Sequence, residues 1–309
     1  MRIYVAGCGG MLGEAVHRVF AAEHTLRCTD IDVNAPWLEH CDFRDAIAYR
    51  NSVESFHTEL LIHLGAYTDL EFCESHPDDA FSTNTLSAEH AAAIAERIDI
   101  PLVYISTAGI FDGAKDVYDD LDEPNPLGVY ARSKYLGEIA VQARISRHFI
   151  CRAGWMMGGG PQKDKKFVAK IMRQLASGVK QLNVVDDKFG SPTYTVDFAN
   201  NLAALLRTES YGLYNMVCEG ATSRLEVARH LLGILRLDNE IEIAAVSSDH
   251  FKTEYFAPRP PSERLANRKL EELGLNLMRD WRIALKDYIR DYYADFVKPF
   301  APRYDPDAK

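Results

Sequence analysis

The amino-acid sequence predicts a doubly wound α/β fold, in which helices cover both faces of a parallel sheet, followed by a smaller C-terminal α/β lobe. Three observations lead to this prediction. Short apolar runs alternate with longer segments that have helical periodicity. The runs are rich in β-branched residues, as expected for strands buried on both faces. A glycine cluster follows the first run directly, which is typical of a tight strand-to-helix turn.

Five apolar runs predict the strands of the first half, and four helical segments lie between them. The runs are RIYVAG, TLRCTD, LLIHLGA, PLVYIST and HFICRAG. The helical segments are MLGEAVHRVFAAE, DAIAYRNSVES, PDDAFSTNTLSAEHAAAIAERI and GVYARSKYLGEIAVQAR. Because parallel strands need long crossover connections, usually helices, this alternation assigns residues 1–154 to one doubly wound domain.

The second half of the chain has shorter elements. It opens with the polar, glycine-rich loop GGGPQKDKK. FVAKIMRQLASG, VDFANNLAALLR and SRLEVARHLLGIL predict helices, while LNVVDD, GLYNMV and IEIAAV predict strands. We interpret residues 155–300 as a smaller lobe with some elements returning to the first domain, and residues 301–309 as a tail.

Composition limits the classes of partner. The 309 residues include 35 Lys and Arg against 45 Asp and Glu, a formal net charge of −10, which argues against a nucleic-acid-binding protein. The N-terminal segment matches neither a signal peptide nor a membrane span, so we expect a cytoplasmic protein with no membrane partner. Six scattered cysteines without C-x-x-C spacing predict reduced core thiols and no metal site.

Gly7, Gly10 and Gly13 form a G-x-x-G-x-x-G pattern between the first predicted strand and the first predicted helix. Such a turn lets the backbone approach a pyrophosphate and presents the N–H groups of a helix N-terminus to it. The pattern therefore predicts that residues 1–154 are an NAD(P)-binding domain of the Rossmann type. An ordinary glycine-rich turn is the alternative.

Asp30 ends the second predicted strand, 23 residues after Gly7, near the offset of about 20 residues that is typical of a ribose-binding carboxylate. Its charge would repel a 2′-phosphate, so we expect NADH to be slightly favoured over NADPH. Arg27 or Arg44 could neutralise that phosphate and allow both cofactors. Asp30 could also simply end a strand, and Asp42 is a weaker candidate for contact with the adenine.

Tyr130 and Lys134 stand in Y-x-x-x-K spacing within a predicted helix, which places both side chains on one face, one turn apart. A neighbouring ammonium group lowers the proton affinity of a tyrosine and makes it a usable acid. The spacing alone is common on exposed helix faces. The Tyr130 and Lys134 pair, however, follows a predicted strand that ends in Ser106 and Thr107, in a chain that opens with a dinucleotide turn. This position favours a catalytic pair over an exposed helix face.

These residues resemble the extended short-chain dehydrogenase/reductase family, whose signature is a glycine-rich turn, a Ser or Thr after the fourth strand, and Tyr-x-x-x-Lys. The resemblance implies that Tyr130 exchanges a proton with the substrate oxygen. It implies that Lys134 holds the nicotinamide ribose and tunes Tyr130. Thr107 would hydrogen-bond to the reacting oxygen, with Ser106 as the alternative hydroxyl.

Longer segments resemble the dTDP-4-dehydrorhamnose reductases of that family over nearly the whole chain, to about Trp281. GAYTDLEFCES resembles A-A-Y-T-x-V-D-x-C-E, STAGIFDG resembles S-T-D-Y-V-F-D-G, and PLGVYARSKYLGE resembles P-x-N-V-Y-G-x-S-K-x-x-G-E. In the second lobe, RAGW resembles R-T-x-W, DKFGSPTYTVDFA resembles D-Q-x-G-x-P-T-x-x-x-D-L-A, and RPPSERLANRKLEELGL resembles R-P-x-x-S-x-L-x-x-x-K-L.

The resemblance also implies binding residues. Those for the cofactor are Gly7, Gly10, Met11, Leu12, Gly13, Asp30, Asp42, Phe43, Leu64, Gly65, Ala66, Tyr67, Asn84, Ser106, Tyr130 and Lys134. Those for the substrate are Thr68, Thr107, Ala108, Trp155 and Arg259. Trp155 could instead be a core aromatic, and Arg259 could pair with a surface carboxylate, although an Arg beside two prolines suits a diphosphate. We interpret the loop lysines as a solvated surface: Lys163, Lys165 and Lys166.

The chain departs from the family pattern at a few positions. Ala108 and Gly109 replace an Asp and a Tyr, and His63 and Gly65 stand where the family usually has Asn or Ala. The loop GGGPQKDKK is also unusually rich in glycine. The resemblance puts these positions near the nicotinamide and the sugar, so they bear on the stereochemistry of the sugar and not on the fold.

The predicted activity is NAD(P)H-dependent reduction of the C4 keto group of a nucleotide-activated 4-keto-6-deoxyhexose, as in the conversion of dTDP-4-dehydro-L-rhamnose to dTDP-L-rhamnose. One alternative is a nucleotide-sugar epimerase or dehydratase, although Ala108 does not supply the acid that a dehydratase needs beside Thr107. Another is a non-catalytic, dinucleotide-binding regulatory subunit, which the intact Tyr130 and Lys134 argue against. A homodimer is compatible with the sequence, which does not fix the oligomeric state.

Overall fold

The computed structural model describes residues 1–297, so the predicted tail, residues 301–309, and the end of the predicted lobe lie outside the described residues. The strands are β1 (Arg2–Ala6), β2 (Thr25–Asp30), β3 (Leu38–His40), β4 (Leu60–His63), β5 (Leu102–Thr107), β6 (His148–Ala153), β7 (Trp155–Met157), β8 (Gln181–Val185), β9 (Phe189–Gly190), β10 (Pro192–Tyr194), β11 (Gly212–Asn215), β12 (Thr222–Ser223), β13 (Glu242–Val246) and β14 (Ser262–Glu263).

The helices within the described residues are α1 (Met11–Phe20), α2 (Ala46–Ser55), α3 (Leu70–Ser75), α4 (Pro77–Phe81), α5 (Ser87–Arg97), α6 (Val129–Arg144), α7 (Gly160–Lys163), α8 (Phe167–Ala176), α9 (Thr195–Leu206), α10 (Arg224–Leu235), α11 (Arg268–Glu272) and α12 (Trp281–Val297). A π-helical turn, Ser82–Leu86, joins α4 to α5. Single 3-10 turns occur at Ala108–Ile110 and Ser248–Phe251. Among residues 1–297, no helix has the length and apolar character needed to cross a bilayer.

Seven strands form one fully parallel sheet in the order β11, β6, β5, β4, β1, β2, β3. The chain runs outward from β1 to β3, crosses back to β4, and then runs outward in the other direction. In such sheets, ligands bind outside the carboxyl ends of the strands where the direction reverses, which here is between β1 and β4. The predicted α/β fold with a parallel, doubly wound sheet is confirmed.

Alternate residues of β1 enter two different parts of the core. Ile3 and Val5 belong to one hydrophobic cluster, which also contains residues of α1 and α9. Tyr4 and Ala6 belong to a second cluster, which contains residues of α2 and α5. All four side chains are fully buried, as expected for a central strand whose two faces are both covered by helices.

The predicted strands and helices of the first half are present, with one addition and one interruption. β3 is additional: of its three residues only Leu38 is buried, so no apolar run marks it. The single helix predicted over residues 77–98 is broken into α4, the π-helical turn and α5. This interruption matters for the site, because π-helical turns often occur at functional positions.

The second half both completes the main sheet and builds three small ones. β11 joins the main sheet beside β6, while β8 pairs with β13, β7 with β10, and β9 lies between β12 and β14. α9 packs against α1, and α12 packs against α7, α10 and β10. The division of the chain at residue 154 stays a prediction.

Candidate active site

The glycine turn between β1 and α1 has the shape that a pyrophosphate requires. Gly7 has a φ of +74°, and a Cβ there would overlap the backbone of Gly65. A Cβ on Gly13 would overlap the carbonyl group of Cys8, so this glycine lets α1 pack closely on the turn. Gly10 precedes α1 without a side-chain cap, and a Cβ there would meet no atom within 4 Å. The open, uncapped helix N-terminus therefore fits an anionic dinucleotide.

Asp30 lies beside this turn and helps to shape it. Its Oδ2 accepts the backbone N–H of Gly9 at 2.9 Å, and its Oδ1 accepts that of Asp32 at 3.0 Å. Each carboxylate oxygen has a second lone pair, so both can still accept a ribose hydroxyl. Arg27 lies near Glu39 at 3.4 Å, and its guanidinium stacks on the ring of Phe56. This arginine is therefore already engaged with an acidic and an aromatic side chain.

Asp42 and Arg44, in the segment after β3, form a bidentate pair. Arg44 Nη2 lies 2.7 Å from Asp42 Oδ2, and Arg44 Nε donates to both carboxylate oxygens. These bonds hold the pKa of Asp42 below its usual value. Arg44 Nη1 also reaches the hydroxyl of Tyr67 at 3.5 Å. The second arginine that could neutralise a 2′-phosphate is thus already paired.

The structure explains two of the departures from the family pattern. A Cβ on Gly65 would overlap the ring of Phe43. Residue 65 must therefore be a glycine while the Phe43 ring occupies this place. Phe43 in turn packs edge-on against the His63 ring at 5.1 Å. His63 is buried between the hydroxyls of Tyr49 and Ser87, at 3.1 and 3.0 Å. Burial lowers the pKa of His63 to about 3, so this histidine is neutral and structural.

Asn84, in the π-helical turn, holds the segment that follows β4. Its Oδ1 accepts the N–H of Tyr67 at 2.7 Å, and its Nδ2 donates to the Tyr67 carbonyl at 3.0 Å. The same Nδ2 donates to Ser133 Oγ on α6 at 2.9 Å. Asn84 is fully buried, so these bonds replace water on every side. This asparagine therefore fixes the segment after β4 against the helix that carries Tyr130 and Lys134.

Tyr130 and Lys134 lie one turn apart on α6, as predicted. The Thr107 side chain lies beside the half-buried Tyr130 and lowers its pKa, but burial dominates and raises the pKa of Tyr130 to about 12. Lys134 is only 3% exposed, and burial lowers its pKa to about 7 despite the opposing charge of Glu138. The structure thus brings together a protonated phenol, a hydroxyl and an amine that titrates near neutral pH.

Thr107, and not Ser106, is the hydroxyl that meets Tyr130. Thr107 is the last residue of β5, and its Oγ1 accepts the N–H of Gly109 at 3.1 Å. The Ser106 hydroxyl is buried, and within residues 1–297 it has no hydrogen-bond partner. Ala108, which follows directly, is buried and contributes no polar group.

Glu138 is a residue that the sequence analysis missed. It lies one turn beyond Lys134 on α6 and pairs with Arg152 of β6 at 2.8 and 3.0 Å. The two side chains are 1% and 3% exposed. The sequence did carry a signal for Glu138. This residue follows Lys134 by four residues, as Lys134 follows Tyr130, so all three lie on one face of the helix. Glu138 is the acidic member of this pair and the negative charge that acts on Lys134.

Trp155 is half-buried between charged side chains. Its indole N–H donates to Glu263 Oε2 at 2.6 Å, and the Arg224 guanidinium lies 3.6 Å from the indole centroid. A Cβ on Gly190 would overlap the ring, so the strand beside it must carry a glycine there. Burial lowers the pKa of Arg224 to about 10. Neither Glu263 nor Arg224 was among the predicted site residues.

Arg259 is engaged in an ion pair. Its Nη1 lies 2.7 Å from Glu71 Oε1, and its Nη2 donates to Glu71 Oε2 at 2.9 Å. Both side chains are partly exposed, and Arg259 Nη1 also donates to the Ala257 carbonyl at 3.0 Å. The pairing expected as the alternative for Arg259 is therefore present, and its role in substrate binding stays a prediction.

The interpretation of the loop lysines as a solvated surface is wrong for two of them. Lys166 Nζ donates to the carbonyl of Thr68 at 2.7 Å and to its hydroxyl at 3.2 Å. Lys163 Nζ is buried and lies 5.3 Å from the centroid of the Trp37 ring. The glycines before them let the loop turn back onto the first half of the chain: Gly158, Gly159 and Gly160 all have positive φ.

Comparison with known proteins gives consistent similarities. A family model described as the RmlD substrate binding domain matches residues 1–294. The chain is 34% identical to a dTDP-4-dehydrorhamnose reductase of Mycobacterium tuberculosis (strain CDC 1551 / Oshkosh) over 290 residues, 92% of this chain and 91% of that protein. A solved dTDP-4-dehydrorhamnose reductase of Bacillus anthracis str. Ames, in complex with NADP, is 27% identical with a TM-score of 0.85, over 94% of this chain and 99% of that one.

Proposed function

Because this chain belongs to the RmlD substrate-binding domain family, we propose that it reduces dTDP-4-dehydro-L-rhamnose to dTDP-L-rhamnose with NAD(P)H. One observation carries the proposal: the Thr107 side chain lies beside the Tyr130 hydroxyl, one helical turn before Lys134, at the same edge of the sheet as the glycine turn. A proton donor at this place has no use in a subunit that only binds a dinucleotide.

Residues 1–154 would hold the cofactor, with the pyrophosphate on the glycine turn and a ribose on Asp30. The NADP bound to the Bacillus anthracis relative supports a nicotinamide dinucleotide. NADH is favoured because Asp30 carries a negative charge while Arg27 and Arg44 are engaged elsewhere. The other proposed contacts follow the same cleft: Gly7, Gly10, Met11, Leu12, Gly13, Asp42, Phe43, Leu64, Gly65, Ala66, Tyr67, Asn84 and Ser106.

The proposed reaction adds a hydride and a proton to the C4 carbonyl of the sugar. Bound NAD(P)H supplies the hydride to C4. Tyr130 donates its phenolic proton to the C4 oxygen as the carbonyl becomes a C–O single bond, which leaves a hydroxyl group on the sugar. Because burial raises the pKa of Tyr130 to about 12, the phenol keeps its proton at neutral pH until that oxygen becomes basic.

Lys134 and Thr107 would assist the transfer. A charged Lys134 ammonium stabilises the phenolate that remains on Tyr130. The Thr107 side chain lies beside Tyr130, and its hydroxyl would donate its one proton to the developing alkoxide. Because burial lowers the pKa of Lys134 to about 7, this amine can both carry the charge and release a proton near neutral pH.

We propose that the substrate lies against Thr68, Ala108, Trp155 and Arg259. Trp155, whose indole carries the Arg224 guanidinium on one face, would border the hexose or the base, and a guanidinium suits a diphosphate. Arg224 is a second candidate for the diphosphate, since it has no ion-pair partner among residues 1–297. This arrangement assigns recognition of the sugar nucleotide mainly to the second half of the chain.

The test is direct turnover of the purified protein. With dTDP-4-dehydro-L-rhamnose, we expect oxidation of NADH or NADPH and formation of dTDP-L-rhamnose, identified by NMR of the sugar. Tyr130→Phe serves as the inactive control. No turnover with either cofactor, from protein that binds the dinucleotide, would favour the regulatory-subunit alternative. Light scattering tests separately whether the protein is a homodimer, an oligomeric state that the sequence leaves open.

A further inference from the structure

Glu263 is a carboxylate at the catalytic edge with no role in the proposed reaction. One oxygen, Oε2, is bonded to the Trp155 indole. The point where a Cβ on Gly109 would lie is 3.3 Å from Glu263 Oε1 and 3.5 Å from Thr107 Oγ1. The second carboxylate oxygen and the Thr107 hydroxyl therefore border the same space. Within residues 1–297, Oε1 has no hydrogen-bond partner.

Two departures from the family pattern meet at this space. The pattern R-P-x-x-S-x-L has Ser where this chain has Glu263, and S-T-D-Y-V-F-D-G has Tyr where it has Gly109. A carboxylate thus replaces a small hydroxyl, and a glycine replaces a large aromatic ring. Since a Cβ at residue 109 would already lie 3.3 Å from Oε1, a tyrosine and a glutamate would compete for this volume.

We propose that Glu263 determines which sugar the enzyme accepts, by accepting a hydrogen bond from a hydroxyl on the carbon next to C4. The proposal rests on the proposed reductase function. In the proposed reaction, Tyr130 and Thr107 both bond to the C4 oxygen of the sugar. The sugar substituent that reaches Glu263 Oε1, on the other side of the same space, is therefore attached to a carbon next to C4. An ionised carboxylate can only accept hydrogen bonds, and a sugar hydroxyl is the donor that the substrate offers.

Glu263 is held in place for this role. The Trp155 N–H occupies Oε2, which leaves Oε1 as the oxygen that faces Thr107 and Gly109. The charge of nearby Arg224 interacts favourably with Glu263 and balances it. A pre-oriented carboxylate binds a hydroxyl by a charge-assisted bond, and a sugar without that hydroxyl leaves the oxygen unpaired.

The experiment compares kcat/KM for dTDP-4-dehydro-L-rhamnose and for its 3-deoxy analogue. The variants are Glu263→Ser and Glu263→Gln, and Glu242→Gln on the exposed strand β13 is the charge-matched control. We expect Glu263→Ser to lower kcat/KM for the parent sugar by about tenfold or more, and that for the 3-deoxy analogue by less than about threefold. Glu263→Gln, which can still accept the Trp155 N–H, should show the same discrimination with a smaller loss.

Equal losses on both sugars would mean that Glu263 only supports Trp155, and would overturn the proposal. If the wild-type protein reduces neither sugar with either cofactor, the reductase function itself fails. If it reduces the parent sugar and Glu263→Ser reduces it equally well, only the role of Glu263 fails.

A second set of variants tests the shared space without relying on one substitution. Gly109→Tyr alone should lower kcat/KM for the parent sugar, because the ring and the carboxylate collide. Adding Glu263→Ser to Gly109→Tyr should raise kcat/KM above that of Gly109→Tyr, which is a favourable coupling in a double-mutant cycle. Independent effects of the two substitutions would show that residues 109 and 263 do not border one site.

Discussion

The Lys134 ammonium group lies 4.1 Å from the centroid of the Tyr104 ring. A ring face attracts a cation most strongly where water is excluded, so this contact partly offsets the burial of Lys134. The Tyr104 hydroxyl also donates to the Lys134 carbonyl at 3.1 Å. One tyrosine of β5 therefore holds both the backbone and the side chain of Lys134, and sets α6 against the strand that ends in Thr107.

Sugar reduction should slow as the pH rises through about 7. Burial lowers the pKa of Lys134 to about 7, and above that value the amine is neutral and no longer stabilises the Tyr130 phenolate. Below it the ammonium group is present in full. The measurement is kcat/KM for the reduction between about pH 6 and about pH 9. A flat profile across this range would show that the charge of Lys134 is not needed.

Tyr130→Phe should lower turnover by at least about a hundredfold, because the variant lacks the proton donor. Binding of NADH, measured by calorimetry, should be nearly unchanged, since the ring and the glycine turn remain. Tyr135→Phe, on the same helix, is the matched control and should retain turnover. A Tyr130→Phe enzyme with most of its activity would assign the acid to another group.

Asp30→Asn should reduce the preference for NADH over NADPH, because the variant no longer repels a 2′-phosphate. The asparagine amide oxygen can still accept the Gly9 N–H but its NH2 group cannot accept the Asp32 N–H, so a melting temperature for the variant accompanies the kinetics. We expect the ratio of kcat/KM for the two cofactors to shift by about tenfold towards NADPH. Asp32→Asn is the control for loss of a neighbouring charge, and an equal shift there would remove Asp30 from the ribose site.

Arg259→Ala should lower kcat/KM for the sugar nucleotide by more than about tenfold and leave NADH affinity unchanged, if Arg259 holds the diphosphate. Glu71→Gln is the informative partner, because it weakens the ion pair and leaves Arg259 in place. We expect Glu71→Gln to retain most of its kcat/KM. Equal losses in both variants would show that the pair acts by positioning the segment around Ala257, whose N–H also contacts Glu71.

Glu138→Gln should destabilise the protein by about 3–5 kcal/mol, because it leaves the buried Arg152 without its counter-charge. Urea unfolding measures this loss. Adding Arg152→Met to Glu138→Gln should recover part of it, since the double variant no longer buries an unpaired cation. If Glu138→Gln alone unfolds like the wild type, the pair contributes little to the free energy of unfolding.

The central strands and the catalytic pair could be predicted from the sequence because their signals are local. Each central strand is an apolar run, and Tyr130 and Lys134 are four residues apart on one helix. β3 could not be predicted, since only Leu38 in it is buried. The π-helical turn could not be predicted either, because its geometry depends on how Asn84 meets Tyr67 and Ser133.

The side-chain partners around the predicted substrate site could not be predicted from the sequence, because they come from distant parts of the chain. Arg259 and Glu71 are 188 residues apart, and Trp155 and Glu263 are 108 residues apart. Such pairs depend on how the small sheets of the second half meet the main one. Hydrophobic periodicity predicts one helix or strand at a time and does not predict how the small sheets pack against the main sheet.

The contact between Gly7 and Gly65 has a consequence for how cofactor use can change in evolution. Where β1 and β4 end, backbone touches backbone, and neither position has room for a side chain. The floor of the cleft is therefore built from groups that every amino acid shares, and substitution there disrupts the cleft instead of adjusting it. If the dinucleotide binds as proposed, new cofactor preferences must arise at the rim, where Asp30 and Arg44 lie and side chains can be exchanged one at a time.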